Sequence, residues 1–238
     1  VVNRCTRAEL RHELERGHVT AIVHVESHHT VRHGWVELSL VAELAHEYDV
    51  PVIVDGAAQD LRLRQLIGAG ADIVITSAHK FLCSTTGGVV AGRKDLIEAV
   101  YLQNRGIGRP MKAGKEAIVG AMAALEYRAK QDMAAWTAEQ DRRVQRILDH
   151  LSSVSGLELG VDPDPNGCPF SRARLTPDPD VTGHTAESLT AALAEGDPTV
   201  VARDHHAVEG YIYLDAIEMT DDEIDIACGR VRQVLRAA

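Results

Sequence analysis

VPVIVDGAAQ (Val50–Gln59) and ADIVITSAHKFL (Ala71–Leu82) decide how this chain folds. Each is built on a short run rich in Val and Ile, the composition of a buried strand in a parallel sheet. Each then turns polar, where the carboxyl end of such a strand opens into the crevice in which α/β sheets hold ligands. The first stretch carries Asp55 to that edge. The second carries Lys80 there, 25 residues later.

The flanking segments agree with this reading. Residues 7–17 (RAELRHELERG) have the pattern of a short helix stopped by Gly17. Thr20–Val25 reads as a strand running into the polar loop ESHHTVRHG. Leu38–Tyr48 places Leu38, Val41, Leu44, Ala45 and Tyr48 on one helical face. Asp60–Ala69 reads as a helix closing on glycines, Thr86–Gly92 as a further strand and Asp95–Gln103 as a helix. Strands alternating with helices predict an α/β fold with a parallel sheet.

NRGIGRPMKAGK (Asn104–Lys115) is a basic, Gly-rich loop. The next stretch, 116–151, has helical spacing, as one long helix or two with a break. After Ser152 the composition shifts: residues 161–184 hold five of the eight prolines and read as loop and edge strand. Glu187–Glu195 follows as a helix, Thr199–Arg203 and Tyr211–Leu214 as strands. Thr220–Ala237 is a helix opened by the capping box T-D-D-E, with Thr220 and Glu223 in the paired positions. The expected organisation is a partial large domain over 1–115, a long connecting helix over 116–151 and a small α+β domain over 152–238.

A 238-residue chain that is 45% hydrophobic can bury a substantial core, and at 4% aromatic that core is aliphatic. The net charge of −10 and the lack of a long basic run argue against nucleic-acid binding. No apolar run reaches the roughly 20 residues that cross a bilayer. Cys5, Cys83, Cys168 and Cys228 are scattered, without a C-x-x-C pair, which fits reduced thiols in a cytoplasmic protein. Cys83 is expected to pack. The first residue is Val, so a trimmed chain or a piece of something larger is expected.

The chemistry of the two strand ends narrows the function. A lysine that attacks an aldehyde and an aspartate that pairs with a ring nitrogen are what pyridoxal 5′-phosphate (PLP) asks of a protein. Lys80 would form the Schiff base and, once freed, serve as general base at Cα. Asp55 would keep the pyridine nitrogen protonated. Ala57, two residues on, is small enough to let a ring lie flat. Ser77 is placed to reach a phosphate, and His79 to do the same or to pack on the ring.

From Glu26 to Tyr127 the chain resembles fold-type I PLP enzymes of the selenocysteine-synthase-like group, which includes ammonia-lyases of amino sugar acids. The resemblance rests on ESHHTVRHG, VPVIVDGAAQ, GADIVITSAHK, AGRKDLIEA and GIGRPMKAGKEAIVGAMAALEY, with NRCT near the start and GDPTVVARD in the small domain. It implies the C-terminal part of an aspartate-aminotransferase-like large domain plus its small α+β domain. It makes Lys80 the Schiff-base lysine, Asp55 the pyridinium partner and Ser77 a phosphate contact. His29 would lie near the cofactor, and Arg203 at the position that takes a substrate carboxylate, which suits a bidentate guanidinium. The loop after the lysine departs from the group, with Ser84-Thr85 where Gly-Pro is usual. Thr86 could still reach a neighbouring subunit's phosphate.

The group's chains are longer at the N-terminus, where a Gly-rich helix start cradles the phosphate. The expectation is therefore a split enzyme, its N-terminal half supplied by another polypeptide, as a dimer or heterotetramer. A truncated chain is the alternative. The expected reaction is α,β-elimination on an amino acid or amino sugar acid. Transamination, racemisation and β-replacement share its first steps, and a non-catalytic scaffold subunit is the non-enzyme alternative. Arg105, Arg109, Lys112 and Lys115 could attract an anionic substrate, with Arg109 taken as a contact. The histidines His24, His28, His29, His33, His205 and His206 lack the converging set that zinc requires, so no metal is expected. R-G-I-G-R-P lacks the strand–turn–helix context of a dinucleotide site.

Overall fold

The structure is a computed structural model that describes residues 6–27 and 36–236. It divides into two compact units, Val1–Gln131 and Asp132–Ala238.

The first unit opens with helix α1 (Arg7–Glu15), whose N-cap Thr6 forms a reciprocal capping box with Glu9. Its sheet has four strands, β1 (Ile22–Val25), β2 (Val52–Asp55), β3 (Ile73–Ser77) and β4 (Gly88–Gly92), in the order β1-β2-β3-β4. β1, β2 and β3 are parallel, with Val25 opposite Asp55 and Asp55 opposite Ile75. Helices α2 (Leu38–His46) and α3 (Leu63–Gly68) make the crossovers. β4 departs from the expected parallel sheet: it runs antiparallel to β3. Residues 78–87 between them form turns with no helix, and a parallel return needs a long crossover.

Alternation along β2 shows how the sheet is packed. Val52 and Val54 are fully buried, whereas Asp55 is exposed. Val52, Val54 and Val74 share a core with Leu14, Val41, Leu44, Ala45 and Leu66 from α1, α2 and α3. Full burial of each such aliphatic side chain stabilises the fold by about 1.5–3 kcal/mol. The opposite face leaves Val23, Val25, Ile75 and Val90 exposed. The expectation of strands buried throughout therefore holds on one face only, because the described helices that join this core cover just that side.

At the amino ends of the strands, Asp72 ties the unit together. It is buried, and its carboxylate accepts hydrogen bonds from Val52 N (2.8 Å), His46 Nε2 (2.9 Å) and Arg93 Nη1 (3.0 Å). Gly70, at φ +107°, lets the α3–β3 turn pass against Ala42; a Cβ there would sit 2.5 Å from the Ala42 Cβ.

Helix α4 (Lys94–Leu102) and helix α5 (Lys115–Lys130) contain no buried residue. Of the two alternatives for 116–151, one long connecting helix or two with a break, the chain takes the second, with α5 and α6 (Met133–Leu151). The break is at Gln131–Asp132, where Asp132 caps α6 by accepting from Ala134 N and Ala135 N. α6 thus belongs to the second unit.

That unit has an antiparallel sheet of β5 (Leu157–Pro163), β6 (Ser171–Pro177) and β7 (Ile212–Leu214), in the order β5-β6-β7. β6 is the central strand, not the edge suggested by the prolines. Pro163 and Pro177 end β5 and β6, where the missing N–H costs least. Thr199–Arg203 is not a strand; only an isolated bridge pairs Arg203 with Tyr213. The sheet packs with helices α6, α8 (Ala186–Ala194) and α9 (Asp221–Arg236) around Ile147, Leu151, Leu175, Leu189, Ile212 and Ile224. Between β6 and α8 lies the single turn α7 (Pro179–Thr182). The capping box before α9 is formed: Thr220 Oγ1 accepts from Glu223 N at 3.3 Å, and Glu223 Oε2 from Thr220 N at 2.7 Å.

Candidate active site

Because β2 and β3 are parallel neighbours, their carboxyl ends open on the same edge, and Asp55 and the Ser77–Lys80 segment emerge there. Asp55 is exposed, its Oδ1 accepting from Ala57 N at 3.2 Å. Pairing continues past the strand proper through Gly56 N to Ile75 O (2.9 Å) and Ser77 N to Ala57 O (3.0 Å). Ala57 and Ser77 are half-buried at this edge.

The lysine sits on a pinned turn. Ala78 is fully buried and bonded on both sides, its N donating to Gly87 O and its O accepting from Ser84 N. The Lys80 carbonyl accepts from Cys83 N at 2.9 Å, while the His79 and Lys80 side chains are exposed. Cys83 is also exposed, with a left-handed backbone (φ +54°), which overturns the expectation that it packs. Thr86 is exposed on the way into β4.

Two ion pairs near this edge escaped the sequence reading. His24 and Glu26, two residues apart and so on one side of the β1 line, are buried with their side chains 3.3 Å apart. Glu26 Oε2 accepts from Arg62 Nη1 at 3.2 Å, and Glu26 N donates to Asp55 O at 2.9 Å. Burial favours the protonated form of Glu26, but the His24 hydrogen bond and the Arg62 charge outweigh it and hold the carboxyl below the usual range. The alternation H-V-E on a strand was the available signal. The second pair joins Arg128 of α5 to Asp60 (3.3 Å) and to the Phe81 carbonyl. Burial pushes the Asp60 carboxyl up, and Arg128 offsets only part of this.

His29 falls outside the described residues. Arg109 is exposed in a single 3₁₀ turn, Arg109–Met111. Arg203 is in the second unit, where its Nη2 donates to Asp215 Oδ2 at 2.8 Å. Asp215 also accepts from buried Arg172, which is locked by Asp164 at 2.6 Å. Among the described residues no three His, Cys, Asp or Glu side chains gather as a metal site.

The model of the aminotransferase class-V family matches residues 4–223. This chain belongs to the aminotransferase class-V family. It is 31% identical to the D-glucosaminate-6-phosphate ammonia lyase of Salmonella typhimurium, over 99% of this chain and 62% of that protein. It is 33% identical to a 5′-C-glycyluridine monooxygenase-decarboxylase of a Streptomyces species, over 98% of this chain and 58% of that protein. A solved D-glucosaminate-6-phosphate ammonia-lyase superposes with a TM-score of 0.75 at 30% identity, covering 98% of this chain and 62% of that one. Serine palmitoyltransferase from Sphingomonas wittichii shares the fold, with a TM-score of 0.60 at 16% identity over 98% of this chain and 60% of that one. The class-V chain described here is thus fold-type I α/β, and it spans about three-fifths of the length of these relatives. PLP is the cofactor that this family and its cofactor-bound structural neighbours indicate. The residues at the β2–β3 edge fit part of it: an exposed carboxylate, an exposed amine on a pinned turn, and the small residues Gly56, Ala57 and Ala58 between them in sequence.

Proposed function

We propose that this chain is the lysine-bearing part of a PLP-dependent enzyme that acts at Cα of an amino acid or amino sugar acid by α,β-elimination. The observation that carries the reading is the emergence of Asp55 and Lys80 on one edge of adjacent parallel strands. The similarity to an ammonia lyase that acts on a phosphorylated amino sugar acid supports the reaction class.

Bound PLP would supply an electron sink for the charge left when Cα loses a proton. The roles of this chain's residues follow from their chemistry. Lys80 Nζ would hold the cofactor aldehyde and, once displaced by the substrate amine, take the Cα proton. Asp55, as an anion, would keep the ring nitrogen protonated. Ala57 would leave room for the ring, and His79 or His29 would lie against it. Ser77 would give a hydroxyl donor to the phosphate, and Thr86 one to the phosphate of a neighbouring subunit. Arg203, with its fork fixed by Asp215, would take the substrate carboxylate, and Arg109 would draw in further negative charge.

We also propose that a separate polypeptide supplies the N-terminal half of the large domain, within a dimer or heterotetramer. The exposed apolar face at Val23, Val25, Ile75 and Val90 supports this, because parallel sheets are ordinarily covered on both sides. A cytoplasmic setting fits cysteines that stay as thiols, as at Cys83, Cys168 and Cys228. No described helix is long and apolar enough to cross a membrane.

Lys80→Ala tests the catalytic reading. In the assembled protein it should abolish turnover and covalent PLP retention together. Unchanged turnover would favour a scaffold role instead. Co-purification with its upstream gene product tests the split: if the pair holds no more PLP than this chain alone, the partner proposal fails.

A further inference from the structure

Arg128 lies 47 residues from Phe81 and 68 from Asp60, yet its guanidinium meets both. It projects from the last turn of α5, a helix without a buried residue of its own, and its side chain is only 19% exposed. One arm, Nη2, donates to the carbonyl of Phe81, the residue after Lys80. The other, Nη1, donates to Asp60 Oδ2 at 3.3 Å; that side chain is 4% exposed and lies five residues past Asp55.

These contacts bridge the exits of the two site strands. Backbone pairing between the segments runs out to the Ser77 N–Ala57 O bond at 3.0 Å. Arg128 adds a link further along both exits, fastening the turn that carries Lys80 to the segment that follows Asp55. The same turn is fixed from another side by α5: Gly120 lies so close that a Cβ would approach the Thr85 hydroxyl to 2.7 Å and the Ser84 hydroxyl to 3.2 Å.

The pairing is poor as a stabilising contact. Among the described residues Asp60 Oδ1 and Arg128 Nε are buried without hydrogen-bond partners, and burial favours protonation of Asp60 more than Arg128 opposes it. A buried ion pair with unsatisfied atoms contributes little to stability and is often replaceable by apolar side chains. What this one does well is geometric, because a guanidinium can hold two acceptors in a fixed fork and a lysine ammonium cannot.

We propose that Arg128 is a positioning residue for Lys80, setting the Lys80 turn against the Asp55 strand through Phe81 O and Asp60. This rests on the reading of Lys80 as the PLP lysine. The test separates the two. The full chain is saturated with PLP and reduced with borohydride, and the modified lysines are mapped by mass spectrometry. Lys94, Lys112, Lys115 and Lys130 serve as internal references. In wild type, Lys80 should take the largest share. Arg128→Gln should cut the ratio of Lys80 to reference labelling about tenfold, the scale on which small displacements of a reacting group act. Arg128→Lys and Asp60→Asn should fall between. Trinitrophenylation of Lys80 by trinitrobenzenesulfonate, in which the amine displaces sulfite from the ring and which needs the amine but not its orientation, should stay within about twofold of wild type in all three. Wild-type PLP labelling ratios in both Arg128→Gln and Arg128→Lys would overturn the positioning role. A parallel loss of PLP labelling and trinitrophenylation would also overturn it, since that marks general damage to the turn. Equal labelling of all lysines in wild type would refute the Lys80 reading itself.

Discussion

Replacing Asp72 with alanine should destabilise the first unit without altering the chemistry at the opposite end of the sheet. Asp72 precedes β3, so it lies at the amino ends of the strands whose carboxyl ends carry Asp55 and Lys80. Its removal leaves the buried Val52 N–H without its acceptor, which costs about 1–3 kcal/mol. The His46 and Arg93 contacts add less, about 0.5 kcal/mol each, because the side chains of both partners are roughly half exposed and can return to water. The sum is about 2–4 kcal/mol. With a urea dependence near 2 kcal/mol per molar, the midpoint should drop by about 1–2 M. Far-ultraviolet circular dichroism is the suitable probe, since both tryptophans of the chain do not report equally: Trp136 lies in the second unit. The pH dependence has a definite sign. Burial favours protonation of Asp72, but the Val52 N–H, His46 and Arg93 outweigh it and hold the carboxyl below its usual value. Its contribution is therefore present above the unfolded-state value near 4 and is lost as pH falls through the lower folded value. The difference between wild type and Asp72→Ala should shrink below about pH 4. A midpoint shift under about 0.3 M, or a difference that grows on acidification, would refute this reasoning.

Two further outcomes follow from the packing. Gly120→Val should displace the Ser84–Thr85 loop, since even a bare Cβ would come within 2.7 Å of the Thr85 hydroxyl; the check is a loss of PLP affinity of about tenfold or more at a urea midpoint within about 0.5 M of wild type. Asp215→Asn should loosen Arg203, lowering affinity for a carboxylate probe such as D-gluconate about fivefold while leaving affinity for uncharged sorbitol unchanged, as followed by the Arg203 Nε–Hε resonance; equal effects on both probes would separate Arg203 from carboxylate recognition.

The parts of the fold that could be read in advance are those whose determinants are local. Val52 and Val54 alternate with Ile53 and Asp55, so β2 and its polar end were visible, as was Lys80 beyond the β-branched run of β3. The T-D-D-E box before α9 needed only four residues to be read. The misreadings have non-local causes. β4 pairs antiparallel because residues 78–87 provide no crossover, a property of the connection and not of the strand. β6 reads as edge because prolines surround it, yet they mark its ends and leave SRARLT to pair with β5 and its Ala173–Leu175 portion to pair with β7 as well. GDPTVVAR has the composition of a strand, but only Arg203 makes a β-bridge, to Tyr213. The Arg128 link could not be read from neighbouring residues, because its two acceptors are 47 and 68 positions away. The exposed second face of the sheet was equally hidden, since the composition of a strand does not state which of its faces is covered.

The central proposal is that Lys80 holds PLP opposite Asp55. Its most direct test is the wild-type chain saturated with PLP, reduced with borohydride and mapped by mass spectrometry, beside the same measurement on Asp55→Ala. Lys80 should be the principal site of modification in wild type, with the visible absorbance band lost on reduction, and Asp55→Ala should weaken that band. Modification spread evenly over Lys80, Lys94, Lys112, Lys115 and Lys130, with no dependence on Asp55, would contradict it.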